Sequence, residues 1–160
     1  MAWAKLTTKT LASSSTSLTT DTFTASKFNF ELRHLISDIS TTNPRQTVNS
    51  DTGSNYAVRY SEDGGAEATA GSRAWLTMNA GGSIGTGLQI FDVEYFINIL
   101  TEEKLFISFS NSNYAGSGAG FAPNRMERVN KWANTTSQIT SENITNGTFA
   151  IDSNLSVLGR

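Results

Sequence analysis

Hydrophobic and polar residues alternate with a period of two along several stretches of the chain, whereas the three-to-four-residue spacing of an amphipathic helix is almost absent. In residues 28–36, Phe28, Phe30, Leu32, His34 and Ile36 fall on one face, and polar residues fill most of the positions between them. Successive side chains of a strand point to opposite faces of a sheet, so this pattern predicts a half-buried strand.

The same alternation recurs at 56–60, 88–100 and 105–109, and Thr101-Glu102 is expected to join the last two stretches as a hairpin. Weaker strands are predicted at 3–11, 17–23, 45–49, 73–78, 126–132, 138–144 and 155–158. Turn sequences such as Asp63-Gly64-Gly65 and Asn146-Gly147 separate the runs, because Asx side chains start turns and glycine adopts positive φ. About ten short, evenly spaced strands predict an all-β sandwich or barrel.

The length of 160 residues fits a single domain that covers residues 1–160. Ser and Thr dominate the stretch 11–24. This composition fits an extended amino-terminal arm within residues 1–24, and it equally fits an edge strand whose threonines suit a pleated surface.

Reactive side chains are scarce. The chain has no Cys and one His, His34, which leaves no thiolate nucleophile, no zinc-thiolate site and little for a Ser-His-Asp relay. Asp51-Thr52-Gly53-Ser54 matches the short motif of aspartic proteases, but polar residues precede it, so we interpret it as a surface loop. We therefore expect no catalytic residues, no cofactor and no metal site, and we interpret the protein as non-enzymatic.

Charge and hydropathy narrow the choice of partner. The net charge of −2 argues against nucleic acid, because binding a duplex draws on several Lys or Arg contacts to phosphate. No stretch approaches the roughly 20 apolar residues that cross a bilayer, so we expect no membrane partner. The first residues lack the features of a signal peptide, which predicts synthesis and retention in a cytoplasm.

A glycine-rich segment at 114–127 is the most distinctive predicted loop. Tyr114, Phe121, Pro123 and Arg125 lie within it. Long loops in compact domains often contact partners, and aromatic residues and Arg are favoured at interface cores. A poorly ordered surface loop would explain the same composition.

Ten short motifs are spread over nearly the whole chain. They are Trp3 with Leu6, Asp51-Thr52-Gly53-Ser54-Asn55-Tyr56, Arg59-Tyr60-Ser61, Asp63-Gly64-Gly65, Glu103-Lys104-Leu105, Gly118-Ala119-Gly120, Pro123-Asn124-Arg125, Lys131-Trp132, Gln138-Ile139 and Val157-Leu158-Gly159. Together these motifs resemble those of a group of tailed-bacteriophage virion proteins.

This resemblance implies a small antiparallel β-sandwich, jelly-roll-like, that is made in the host cytoplasm and assembles on the virion. The leading hypothesis is a capsid decoration (cement) protein that stabilises the head. It would bind as a homo-oligomer, a trimer, over junctions of the major capsid protein. The residues expected at its interfaces are Trp3, Leu6, Tyr114, Phe121, Pro123 and Arg125.

The alternative hypothesis is a tail or receptor-binding component that recognises a host-surface glycan by stacking aromatic side chains on sugar rings. The candidate aromatic residues are Tyr56, Tyr60, Trp75 and Trp132.

Overall fold

A computed structural model describes residues 2–38, 43–78, 85–113 and 118–160, and these residues form twelve β-strands and no helix. The strands are β1 (Ala4–Thr10), β2 (Leu18–Thr19), β3 (Phe28–Ile36), β4 (Arg45–Val48), β5 (Tyr56–Glu62), β6 (Ala68–Arg73), β7 (Leu76–Thr77), β8 (Gln89–Ile97), β9 (Lys104–Ser112), β10 (Asn124–Trp132), β11 (Glu142–Thr145) and β12 (Asn154–Gly159).

The strands form two antiparallel sheets. The large sheet has eight strands in the order β1-β12-β3-β8-β9-β10-β5-β6, and the small sheet has four in the order β2-β11-β4-β7. The predicted all-β, antiparallel β-sandwich is therefore confirmed, and its jelly-roll connectivity stays a prediction.

Local sequence explains the central hairpin of the large sheet. β8 and β9 pair antiparallel with Phe96 opposite Phe106, and the predicted connection at Thr101-Glu102 lies in the loop between them. The Glu102 amide closes this loop by donating to the Ile99 carbonyl at 3.2 Å. In contrast, no strand is predicted at 68–73, because small residues interrupt the alternation there. β6 nevertheless forms by pairing with β5.

The amino-terminal stretch belongs to both sheets. β1 pairs with β12 and forms one edge of the large sheet, and β2 pairs with β11 and forms one edge of the small sheet. Leu18 of β2 is fully buried. Within the Ser/Thr-rich stretch 11–24, the edge strand β2 covers Leu18–Thr19.

The apolar core lies between the two sheets. The small sheet contributes Leu18, Val48, Leu76 and Ile144, and the large sheet contributes Leu35, Tyr56, Ile90, Phe96, Phe106, Trp132, Leu155 and Val157.

The central strands of the large sheet do not turn their more apolar side toward this core. On β8, Asp92 and Glu94 point inward and are fully buried, whereas Phe91 and Tyr95 point outward and are 45% and 47% exposed. A half-buried strand ordinarily buries its apolar side, so the expected orientation is reversed here. The physical reason is that the inward acids have charged partners on neighbouring strands, which compensate their burial.

Candidate interaction surface

The outward side of the large sheet carries a wide apolar surface, which we call the outer face. It consists of side chains from β3, β8, β9 and β10, together with Trp3 beside β1. Its most exposed apolar members are Trp3, Phe28, Phe91, Tyr95, Ile97, Leu105, Ile107, Phe109 and Val129.

Strand register brings these side chains together. Tyr95 of β8 stands opposite Ile107 of β9, which in turn stands opposite Val129 of β10. The Phe30 ring of β3 stacks on the Tyr95 ring of β8 with the centroids 4.6 Å apart. The centroid of the Trp3 ring lies 6.0 Å from that of Phe30. The result is a continuous apolar surface across the four neighbouring strands β3, β8, β9 and β10, extended by Trp3.

The outer face is concave and holds a groove of about 990 Å³. Phe28, Tyr95, Leu105, Ile107 and Val129 line it on the central strands. At the far side, β5 and β6 contribute the small residues Ala57, Ala70 and Gly71. Small side chains at one end and large apolar ones in the middle leave room for a protruding part of another molecule.

The rim of the groove carries charges of both signs. Arg59 pairs with Glu67 at 2.6 Å, and Lys131 pairs with Glu103 at 3.0 Å. At the opposite end, the Arg160 guanidinium lies 5.1 Å from the Trp3 ring centre. An apolar centre with a polar rim is the usual arrangement of a protein–protein interface.

The exposed apolar area is large for a monomer. The five exposed aromatic residues of the outer face are between 37% and 51% exposed. At about 200 Å² for each aromatic side chain, they expose roughly 450 Å². The four aliphatic residues raise the total above about 600 Å², the upper end of the largest apolar patch on a typical monomer.

A buried ionic cluster lies behind the outer face, between the sheets. Arg33 of β3 is 3.3 Å from Asp92, 3.1 Å from Glu94 and 3.4 Å from Glu31. Arg128 of β10 also pairs with Asp92. These charged side chains are fully buried, so they contribute to the stability of the fold and are not accessible to a substrate.

Glu142 of β11 joins the cluster from the small sheet. Gln46 bridges the sheets by donating to Glu94 at 3.0 Å and to Glu142 at 2.9 Å. Burial raises the pKa of Glu31 to about 8 despite the opposing effect of Arg33, and the Glu94 charge adds to the rise. Burial likewise raises the pKa of Glu142 well above its ordinary value, and Glu31 adds to that rise. Both carboxyl oxygens of Glu31 and one of Glu142 are buried without a hydrogen-bond partner, so burial favours the protonated, uncharged form of these two groups.

His34 lies on the outer face, is partly buried and forms a hydrogen bond between its Nε2 and Gln89 Oε1 at 2.9 Å. Asp51 accepts hydrogen bonds from Trp132 Nε1 at 2.7 Å, Asn55 Nδ2 at 2.9 Å and the Gly53 amide at 2.8 Å. Burial alone would raise the pKa of Asp51, but these bonds outweigh it and hold the pKa below its ordinary value. Its carboxylate therefore stabilises a loop, as the flanking sequence predicts.

The residues expected at interfaces are dispersed. Trp3 lines the groove, whereas Leu6 packs against the core from the inner side of β1. Phe121, Pro123 and Arg125 are exposed on the loop before β10 and at its start, and Tyr114 lies outside the described residues. Arg125 is anchored there, because its amide donates to Asp63 Oδ1 at 2.7 Å.

The outer face is not among the surfaces predicted from the sequence. The signal was present in the alternation itself, because the positions between the apolar residues include Glu31, Arg33, Asp92 and Glu94. Opposite charges at matching positions of neighbouring strands can compensate one another in the interior, which frees the apolar side to face outward.

Two of the four aromatic candidates for glycan stacking are core residues. Tyr56 and Trp132 are each 1% exposed. Tyr60 and Trp75 are half-buried and line one common pocket.

Comparison with protein-family models, curated proteins and solved structures finds no match to this chain. In the part of the chain that the structure describes, no helix is long and apolar enough to cross a membrane. The same residues include no group of three or more His, Asp or Glu side chains arranged to hold a metal ion.

Proposed function

We propose that this protein is a structural subunit of a bacteriophage virion, a capsid decoration protein that stabilises the head through protein–protein contacts of its outer face. The observation that carries the proposal is the exposed apolar area of that face. An apolar surface of this size is stabilised when a partner removes it from water, at about 25 cal/mol for each Å² buried. The sequence resemblance supports the choice of a phage particle, with the major capsid protein as the second partner.

The first partner that we propose is another copy of the chain, in a homo-oligomer such as the trimer expected from the resemblance. The outer face is close in area to the roughly 800 Å² that each partner buries in a standard interface. Its rim carries acidic and basic residues side by side, so copies can place opposite charges together. The net charge of −2 adds little repulsion between copies.

Two matched substitutions test this interface by sedimentation in solution. Ile107→Asp places a charge at the centre of the outer face, and Ile151→Asp places one in the turn before β12. The two positions are 52% and 54% exposed, so neither change should unfold the isolated subunit. A buried, unpaired charge costs at least about 3 kcal/mol, so I107D should weaken self-association at least about 100-fold.

The expected result is an oligomer for the unmodified protein and I151D, and a folded monomer for I107D. A concentration-independent monomer in the unmodified protein would refute self-association through this face. Binding to expanded capsids tests the decoration role separately. Imaging of capsids mixed with labelled protein should show the label over the whole head if the protein is a decoration protein. An oligomer that fails to bind heads would refute the decoration role.

A second candidate function is a tail or receptor-binding component that recognises a host-surface glycan. The observation that favours it is the shared pocket of Tyr60 and Trp75. Imaging of labelled particles distinguishes the two functions, because a tail component would be labelled at one vertex only.

A further inference from the structure

A small polar pocket lies where the β5–β6 side of the large sheet meets β4 and β7 of the small sheet. We call it the Trp75 pocket, and its volume is about 140 Å³. Its lining includes Asn43, Arg45, Tyr60, Arg73, Trp75 and Thr77. It is distinct from the groove on the outer face, with which it shares no lining residue.

Two guanidinium groups gather around one indole ring in this pocket. Arg45 lies 3.8 Å from the Trp75 ring centre and Arg73 lies 4.9 Å from it. Among the described ion pairs, neither Arg45 nor Arg73 has a carboxylate within 4.0 Å. The residues outside the described ranges include no Asp or Glu. No carboxylate side chain of the described residues therefore pairs with Arg45 or Arg73 within 4.0 Å, and the other residues have none to offer.

Two buried polar atoms of the lining also lack a partner. Thr77 is 8% exposed, and its hydroxyl makes no hydrogen bond. The side-chain oxygen of Asn43 is likewise buried without a partner. Buried polar groups are normally hydrogen-bonded, so unused groups beside two uncompensated cations indicate a missing ligand. The Thr77 hydroxyl can donate to an anion, and the Asn43 amide carries two donors that rotation about its terminal bond would present.

We propose that the Trp75 pocket binds a single tetrahedral oxyanion, a phosphate or sulfate group. Two guanidinium groups match the double negative charge of such an ion and present forked donors to its oxygens. The stacking of Arg45 and Arg73 around Trp75 holds both groups in place before the ligand arrives, which lowers the entropy lost on binding. The volume of about 140 Å³ suits a single charged group.

Titration with inorganic phosphate at constant ionic strength, with chloride as the reference anion, tests the site. We expect saturable shifts of the Arg45 and Arg73 side-chain N–H signals and of the Trp75 indole signal in NMR spectra. Arg45→Gln and Arg73→Gln should each weaken phosphate binding at least about 10-fold. Thr77→Val keeps the size of the side chain and should weaken it by a smaller factor.

Arg59→Gln is the matched control, because it removes the same charge from the outer side of β5, where Arg59 already pairs with Glu67. It should leave phosphate binding unchanged, and thermal melting of each variant confirms folding. Shifts that do not saturate, or an R59Q variant as impaired as R45Q, would overturn the proposal. A sugar phosphate that binds more tightly than inorganic phosphate identifies a monoester as the ligand, whereas equal affinity identifies the free ion.

Discussion

Raising the pH from 5 to 8 should destabilise the folded protein, because of the buried carboxyl pair Glu31 and Glu142. In the folded state both side chains are fully buried in the ionic cluster and have raised pKa values. The charged groups around Glu31 are Arg33 on its own strand, Asp92 and Glu94 on β8, and Glu142 on β11. In the unfolded chain, water restores ordinary carboxyl pKa values.

The sign follows from proton binding. Between the ordinary pKa of 4.5 and the folded value of about 8, the folded protein holds a proton on Glu31 that the unfolded chain has released. The stabilisation is complete below the lower value and is lost as the pH rises through the upper one. Each pKa unit corresponds to about 1.4 kcal/mol, so the unfolding free energy should fall by about 4 kcal/mol between pH 5 and pH 8. This is a large share of the 5–15 kcal/mol typical of a domain.

Urea denaturation at several pH values measures the slope of the unfolding free energy against pH. Glu142→Gln removes one titrating group and supplies an amide that can donate to Glu31, so it should flatten the slope and raise stability at pH 8. Glu127→Gln, on the exposed side of β10, is the control and should leave the slope unchanged. Stability that stays constant or rises from pH 5 to 8, with no effect of E142Q, would show that the pair holds no proton in the folded state.

Further predictions concern the loop at Asp51 and two glycines in strands. Asp51→Ala should lower the unfolding free energy by about 2 kcal/mol, because the indole N–H of Trp132 loses its partner inside the core. Denaturation curves measure this loss, and an unchanged midpoint would contradict the structural role. Gly159→Ala should cost about 1–3 kcal/mol, since a Cβ there would lie 2.6 Å from Leu6 Cδ1 and still closer to the Ser26 hydroxyl. Gly71→Ala is its control: nothing lies within 4 Å of the added Cβ, so it should be neutral or stabilising by about 0.5 kcal/mol, and equal melting shifts in both variants would contradict the packing.

The sequence predicts strands better than it predicts which side of them is buried. A period of two separates the side chains of β3 and β8 into two sets, but it does not say which set meets the second sheet. That choice depends on charge pairs such as Arg33 with Asp92, which lie 59 positions apart in sequence. Short-range features such as the β8–β9 hairpin could be predicted, because both strands and their connection are contiguous.

The candidate surfaces were harder to predict for the same reason. The outer face combines side chains from separate strands, and the Trp75 pocket joins residues from both sheets. The hydrogen bond from Trp132 to Asp51 spans 81 positions. Contacts of this kind depend on the order of the strands in the sheets, and the pattern of hydrophobic and polar residues along the chain does not predict that order.

The position of β12 has a consequence for how the protein folds. β12 is the last of the twelve described strands, yet it lies inside the large sheet between β1 and β3. While the chain is being synthesised, β1 has no partner strand and the β3 edge stays open until β12 emerges from the ribosome. Pairing β1 with β12 closes a loop that contains the ten other strands, so we expect this pairing to form slowly. During that interval an open sheet edge beside an apolar face makes the nascent chain prone to aggregation and dependent on chaperones.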